Sequence, residues 1–390
     1  MTPPTKQAVI LGVPVDNLDM DLAIHKIMSM VEQYKIDKKQ RLVATANVDF
    51  IVNANRKEDP EAIDSLITIL RKADMVTADG MPLVWLSQML GTPLAERVTG
   101  ADMVPALAEK AAMEGKSIYL LGGKDGSAKA TAKILQARHP KLKIAGYSAP
   151  MINLDDEMEN TIEIARINIT APDILLIALG NPKQEFWFER YKDSLKVPVS
   201  IGVGGTFEFI AGLTSRAPAW MQKNGVEWLF RMTQDPGRLI KRYANGLLSF
   251  NFMALPLIIT NQLVKMFSKN IEAWGEDTLS MSPDLTQTIE LPYDLLGQLS
   301  EVYFRTGTSI TGKTLSLDFS NKKLIQPLEI LALMKLSIWV ENHRYELSIR
   351  NLGLFTKYTL KFYRVFDLLA KHSVNEKITT EKLPSYQLAS

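Results

Sequence analysis

Ile174-Leu175-Leu176-Ile177-Ala178-Leu179-Gly180-Asn181-Pro182-Lys183-Gln184-Glu185 is the stretch on which the fold turns. Its first six residues are apolar without alternation, so both faces of the strand are buried, as in parallel sheets covered by helices. Gly180 and Pro182 then break the run into a polar loop, and Gln184–Tyr191 resumes at helical spacing. In open α/β sheets ligands sit where strands open into loops in this way.

The same grammar repeats on either side. Strands are predicted at Ala8–Leu11, Arg41–Thr45, Met75–Thr77, Ser117–Leu121, Lys143–Tyr147 and Val199–Val203. Helices are predicted at Leu22–Tyr34, Pro60–Lys72, Pro82–Leu90, Asp102–Met113, Gly126–Ala137 and Asp156–Asn168. Residues 1–216 therefore read as an α/β domain with a mostly parallel, Rossmann-like sheet and helices on both faces. From Ala217 to Phe267 strands cease and Trp, Arg and long apolar residues crowd together, which predicts a helical appendage over 217–270. Residues 271–288 are acidic, Ser/Thr/Pro-containing and aperiodic, and read as a linker. A second alternation over 289–372 predicts a small α/β domain: strand Thr314–Phe319, helix Pro327–Ser337, strand Tyr345–Ile349 and helix Leu360–Leu369. Residues 373–390 read as a tail.

Composition removes several function classes. The 45 Lys and Arg are balanced by 43 Asp and Glu, so nucleic acid is not an expected partner. No cysteine is present, which excludes disulfides and thiolate chemistry. His25, His139, His343 and His372 lack metal-ligand spacing. Met1–Gln7 is polar, and the apolar run Ala8–Val15 is too short and too broken for a secretory signal, so a cytoplasmic location is expected.

Polar groups end several strands. Thr45-Ala46-Asn47 puts a hydroxyl and an amide, two residues apart, on one side of a strand end, where they could form a turn or hold sugar hydroxyls. In Ala78-Asp79-Gly80-Met81-Pro82 the carboxylate could cap the next helix or act as a general base at the sheet edge. Gly122-Gly123-Lys124-Asp125-Gly126 and Gly202-Val203-Gly204-Gly205-Thr206-Phe207 each follow a strand and open a helix. That arrangement suits either a tight turn or a phosphate cradle. Neither is a Walker A loop or a complete GxGxxG, which argues against a dinucleotide oxidoreductase. Asp19-Met20-Asp21 has the DxD spacing of metal-dependent sugar transferases, but it precedes a helix and reads as N-terminal helix charge. Arg231, Arg238, Lys241 and Arg242 sit in a helical stretch with Trp220, Trp228 and Phe230. They could be a solvated face or forked donors for a diphosphate. Gly246–Val264 is apolar enough to span a bilayer, but Asn251, Pro256, Thr260 and Asn261 interrupt it, which favours an interfacial helix.

Residues 8–245 resemble the family 26 glycosyltransferases, which include N-acetylmannosaminyltransferases of wall teichoic acid and enterobacterial common antigen synthesis. The carrying motifs are Thr45-Ala46-Asn47, Ala78-Asp79-Gly80, Glu96-Arg97-Val98-Thr99-Gly100, Leu121-Gly122-Gly123, Gly180 through Glu185, Gly202-Val203-Gly204-Gly205, and Arg216-Ala217-Pro218 through Glu227-Trp228 to Arg238. The resemblance implies inverting, metal-independent transfer from a UDP-sugar to a polyprenyl-diphosphate-linked sugar, without a cofactor, on the inner face of the cytoplasmic membrane. It also implies Asp79 as base, with Thr45, Asn47, Arg97 and Gln184 beside it. Gly122, Gly123, Gly180, Lys183, Glu185, Gly204 and Gly205 then belong to the UDP-sugar site. Arg231, Arg238 and, more loosely, Arg242 or Lys241 match arginines that close over the diphosphate.

Thr314–Ser320, Leu324–Leu328 and the following helix are similar to STAS domains, with Gln326-Pro327 where a regulatory Asp-Ser commonly stands. That domain could bind a protein partner, sense a nucleotide or serve as a passive structural appendage, and the departure at Gln326-Pro327 argues against a phosphorylation switch there. The competing reading of the whole chain is a catalytically silent nucleotide-sugar sensor that signals through it.

Overall fold

The computed structural model describes residues 7–56, 65–218, 220–221, 226–234, 236–271, 279–283, 304–306, 314–319, 325, 327–342, 346–350 and 352–371. The chain divides into two units, Met1–Phe252 and Met253–Ser390.

The first unit opens with a hairpin, β1 (Gln7–Ile10) and β2 (Val13–Asp16), paired antiparallel. Leu11 and Gly12 have φ of 47° and 85°, the left-handed pair that a two-residue hairpin turn needs. The predicted strand Ala8–Leu11 therefore belongs to a separate ribbon and not to the main sheet. Asp16 ties the ribbon down: Oδ2 accepts from Val76 N at 2.9 Å and Oδ1 from Lys26 Nζ at 2.7 Å.

The main sheet holds β3 (Arg41–Ala46), β4 (Met75–Ala78), β5 (Ser117–Gly122), β6 (Lys143–Ser148), β7 (Ile174–Ala178) and β8 (Val199–Gly202). Its order is β4-β3-β8-β7-β5-β6, with every neighbouring pair parallel. All five residues of β7 are buried, as its unbroken apolar run requires. The connecting helices are α1 (Met20–Asp37), α2 (Val48–Ala54), α3 (Leu66–Lys72), α4 (Met81–Met89), α5 (Gly100–Glu114), α6 (Ser127–Arg138), α7 (Glu157–Thr170), α8 (Lys183–Tyr191) and α9 (Thr206–Ile210). Asp19 caps α1 by accepting from Leu22 N, the helix-end role its position suggests.

Strand alternation sorts the core into two layers. Ile118, Leu120, Leu176 and Ile201 pack with Ile27, Val31, Val104, Leu107 and Leu135 on one face. Tyr119, Leu121, Leu175 and Ile177 pack with Ile69, Ile164, Ile167, Trp187 and Phe188 on the other. The strand order turns between β7 and β5: β5 leads outward to β6, whereas β7 leads inward to β8. Such a turning point leaves a crevice beyond the carboxyl ends of the strands.

After the sheet come the helix Glu227–Gln234 and the long helix Pro236–Ile271. The second unit has a four-stranded sheet of order β10-β9-β11-β12, namely Phe304–Thr306, Leu279–Pro283, Thr314–Asp318 and Glu346–Arg350. Helices Pro327–Asn342, Leu354–Phe362 and Phe366–Lys371 accompany it. Strand β9 lies inside the segment read as a linker; Leu279-Ser280-Met281-Ser282 alternates, but over too few residues to stand out from Ser/Thr-rich sequence. Ile330, Leu333, Met334, Leu336, Val340, Leu317 and Leu347 are buried in this unit. The tail 373–390 lies outside the described residues.

Candidate active site

Five of the six parallel strands send their following loops to one cavity of about 940 Å³. Thr45, Asn47 and Asp49 line it after β3, and Asp79 and Gly80 after β4. Lys124 reaches it after β5, Gly180 and Asn181 after β7, and Val203, Gly204, Gly205 and Thr206 after β8. Arg97, Arg216 and Glu227 complete a charged side, and Phe50, Phe209, Leu213 and Leu247 supply apolar surface.

The sheet sets the first positions. Thr45 pairs in register with Thr77, and its Oγ1 donates to Gly202 O at 2.9 Å, stitching β3 to β8. Asn47 caps α2, its Oδ1 accepting from Phe50 N at 3.2 Å. Its Nδ2 has no hydrogen-bond partner among the described residues and is available to a ligand. Asp79 is held by its own N–H, which donates to Ala46 O at 2.7 Å. The N-cap position of α4 is taken by Gly80, so Asp79 stands one residue before it. Gly80 takes φ 149°, a conformation open to glycine, and Asp79 before it is half-buried on the cavity wall.

Arg97 arrives on a segment that runs beside β4. Val98 N donates to Ala78 O at 2.8 Å and Val98 O accepts from Thr77 Oγ1 at 2.9 Å. The Arg97 guanidinium pairs with Glu227 at 3.3 Å and approaches Asp102 at 3.8 Å. Arg216 binds both oxygens of Asp102, at 2.6 and 2.7 Å. Burial alone would raise the Asp102 carboxyl, but the Arg216 fork, the Thr99 hydroxyl and the nearby Arg97 charge hold it below the usual carboxylate range. Glu227 thus joins the helix Glu227–Gln234 to the charged side of the cavity.

The glycines divide into two kinds. A methyl on Gly122 would lie 2.9 Å from Ala178 O, and one on Gly123 would lie 2.3 Å from Ser127 Oγ and 3.1 Å from Phe207. Both are close-packing glycines, and neither lines the cavity. Gly180 and Gly204, with φ of 77° and 52°, have nothing within 4 Å of a Cβ and open into it. Lys183 is half-buried off the cavity, and Gln184 and Glu185 are enclosed, 1% and 0% exposed. The side chains of Arg231, Arg238, Lys241 and Arg242 lie outside the described residues.

Sequence reasoning missed Glu208 and Lys124 as a pair. Lys124 N donates to Glu208 Oε1 at 2.7 Å, whereas Glu208 Oε2 is buried on the cavity wall without a hydrogen-bond partner. An acid four residues after Gly204 was the available signal, but its contact with the β5 loop exists only in the fold. Among the described residues, no group of three His, Asp or Glu could hold a metal ion.

A parallel α/β sheet whose carboxyl edge carries a carboxylate, guanidinium groups and open glycines suits an α/β enzyme that binds a polar, anionic or hydroxyl-rich ligand. Comparison with known proteins makes this specific. Residues 8–262 match the model of the glycosyl transferase WecG/TagA/CpsF family, and the chain belongs to that family and is a glycosyltransferase. It is 32% identical over 241 residues to an N-acetylglucosaminyldiphosphoundecaprenol N-acetyl-beta-D-mannosaminyltransferase of Staphylococcus aureus, covering 60% of this chain and 87% of that one. Proteins of the same name from Bacillus subtilis (31% over 209 residues, 53% and 77%) and Bacillus spizizenii (29% over 228 residues, 58% and 84%) are similar to it. The family match ends before β9, so the sheet of the second unit lies outside it.

Proposed function

We propose that the chain transfers a sugar, N-acetylmannosamine or a related hexose or uronic acid, from a UDP-sugar to a polyprenyl-diphosphate-linked sugar in surface-polysaccharide assembly. The observation that carries this reading is the convergence of Asp79, Thr45, Asn47 and Arg97 on one cavity with the open glycines Gly180 and Gly204.

The chemistry is a single displacement. The acceptor hydroxyl oxygen attacks the anomeric carbon, the bond from that carbon to the β-phosphate oxygen breaks, and its electron pair leaves with UDP. Asp79 takes the hydroxyl proton, a step worth about 10²–10⁴-fold when the base is well placed. Thr45 and Asn47 hold sugar hydroxyls beside it. Leaving charge falls to Arg97, to backbone N–H groups of the glycine loops, and to Arg231, Arg238 and Arg242 in the role the family resemblance gives them. At the β5 and β8 end, Glu208 and Lys124 suit the ribose and phosphate of a nucleotide: a carboxylate accepts from hydroxyls and an ammonium attracts phosphate.

The acceptor's lipid requires a membrane surface, and the helix Pro236–Ile271 suits that location. Asn245–Leu263 is long and apolar enough to cross a bilayer. Gly246, Phe250, Ala254, Leu257 and Asn261 form a buried stripe, while Leu248, Phe252, Leu255 and Ile259 form an exposed apolar one. A helix with one face in protein and an apolar face outward suits lying in the interface of the cytoplasmic leaflet. The STAS-like reading assigns the second unit a protein partner.

The test is product formation from a panel of UDP-sugars with a polyprenyl-diphosphate N-acetylglucosamine acceptor in detergent or vesicles. Transfer from at least one donor is expected, and transfer should survive EDTA at millimolar concentration. Binding of a UDP-sugar without transfer from any donor would favour the silent sensor. Loss of activity to EDTA, restored by a divalent ion, would replace the cationic clamp with a metal.

A further inference from the structure

Four hydrogen bonds join helix α2 to the loops after β7 and β8 through one enclosed carboxylate. Asn53 Nδ2, on α2, donates to Asn181 Oδ1 at 2.8 Å. Asn181 Nδ2 donates to Glu185 Oε2 at 3.0 Å. From the other side, Gln184 Nε2 donates to Glu185 Oε1 at 2.7 Å, and Gly204 N donates to Gln184 Oε1 at 3.2 Å. Asn181 and Gly204 both line the cavity, whereas Glu185 is 0% exposed and does not.

The direction of this chain follows from the carboxylate. An ionised carboxyl only accepts, so both neighbouring amides must turn their NH₂ groups inward. Their oxygens then face outward, one to Asn53 and the other to the Gly204 amide. A neutral carboxyl or an amide at this position would donate on one side and release one neighbour. The approach is tight: a methyl on Gly202 of β8 would lie 2.4 Å from Gln184 Nε2 and 2.9 Å from Glu185 Oε1. No larger residue fits at position 202 while the chain of bonds stays closed.

We infer that Glu185 is a positioning residue: its buried carboxylate fixes the orientations of Asn181 and Gln184 and, through them, the β7 and β8 loops that face the substrate. This rests on the reading of the cavity as the transfer site. It replaces the direct UDP-sugar contact expected of Glu185 from sequence with action through its neighbours.

Burial pushes the Glu185 carboxyl from 4.5 up to about 7, against the downward pull of the Gln184 and Asn181 hydrogen bonds. The groups facing it are those two amides, its own backbone N–H and, from β8, Gly202, and no charged side chain contributes to its titration. The folded-state value lies above the unfolded one, so the folded state holds the extra proton between them. Stability is therefore largest below pH 4.5 as far as this group is concerned, and it falls as pH rises from 4.5 through 7. The ionised form that orders the loops is thus the one the fold tolerates least.

That opposition supplies the experiment. Glu185→Gln keeps the shape and removes the charge. At pH 8 it should leave the melting temperature equal to or above that of the unaltered protein while lowering kcat/KM about tenfold or more. It should also abolish a rise in activity with pH near 7. Asn53→Ala, at the far end of the chain of bonds, should lower kcat/KM in the same direction with a smaller effect. Backbone hydrogen exchange at Gly204 should accelerate in both variants, a readout that needs no substrate and stands even if the donor or acceptor is wrongly assigned. Glu185→Gln with unaltered Gly204 exchange and an unaltered pH profile would overturn the inference, as would activity and melting temperature falling together.

Discussion

Asp79→Ala is expected to lower transfer by about 10²–10⁴-fold, the usual worth of a positioned general base. Donor binding should change little, because the carboxylate acts on the acceptor hydroxyl and not on the nucleotide. The substitution should also fold normally. Asp79 is half-buried on the cavity wall, stands before the N-cap position of α4, and anchors the loop through its backbone N–H, which alanine retains. Initial rates together with calorimetric titration of UDP-sugar separate the two effects. An undiminished rate removes Asp79 from the mechanism; loss of donor binding in step with rate would make it a binding group instead.

Gly122→Ala should produce the largest loss of stability among the glycine substitutions considered. The residue sits at φ 90°, where an L side chain costs about 1–2 kcal/mol. Its methyl would also lie 2.9 Å from both Ala178 O and Leu179 Cδ2, and the first of these is backbone that cannot rotate away. Overpacking adds about 1–3 kcal/mol. For a domain of this size the sum lowers the melting temperature by roughly 5–15 °C. Gly180→Ala is the control, since its φ of 77° carries similar backbone strain but nothing lies within 4 Å of the added carbon. It should melt nearer the unaltered protein and act mainly on substrate affinity, by placing a methyl in the cavity. Equal melting temperatures for the two variants would mean that the β5 and β7 strand ends are not in close contact.

The glycine loops show why part of the site was legible in sequence and part was not. Gly122-Gly123 and Gly204-Gly205 look alike as strings, each a glycine pair between a strand and a helix. Only one faces the cavity, because what surrounds a glycine is decided by neighbours far away in the chain: Ala178 and Phe207 for the first pair, open space for Gly204. Gln184 and Glu185 carry the same lesson. Polar residues just past a strand read as ligand contacts, yet the first turn of α8 folds them inward, where they satisfy each other and Gly204. The N-terminal ribbon was hidden for another reason. Leu11-Gly12 is a turn only because leucine adopts an uncommon left-handed conformation, which no propensity favours.

Local pattern alone determined that this is a parallel α/β sheet with polar groups at its carboxyl edge, because burial on both faces demands unbroken apolar runs and glycines must end them. On those grounds Asp79 at the end of β4 was a cap or a base, and the family resemblance was what singled it out as the base. The tertiary structure alone decided that Arg97, Arg216, Asp102 and Glu227 form one charged wall, and that a fully enclosed carboxylate at Glu185 ties α2 to the loops after β7 and β8. Those contacts join residues up to 130 positions apart. Their energy depends on distance and burial in space, which spacing along the chain does not encode.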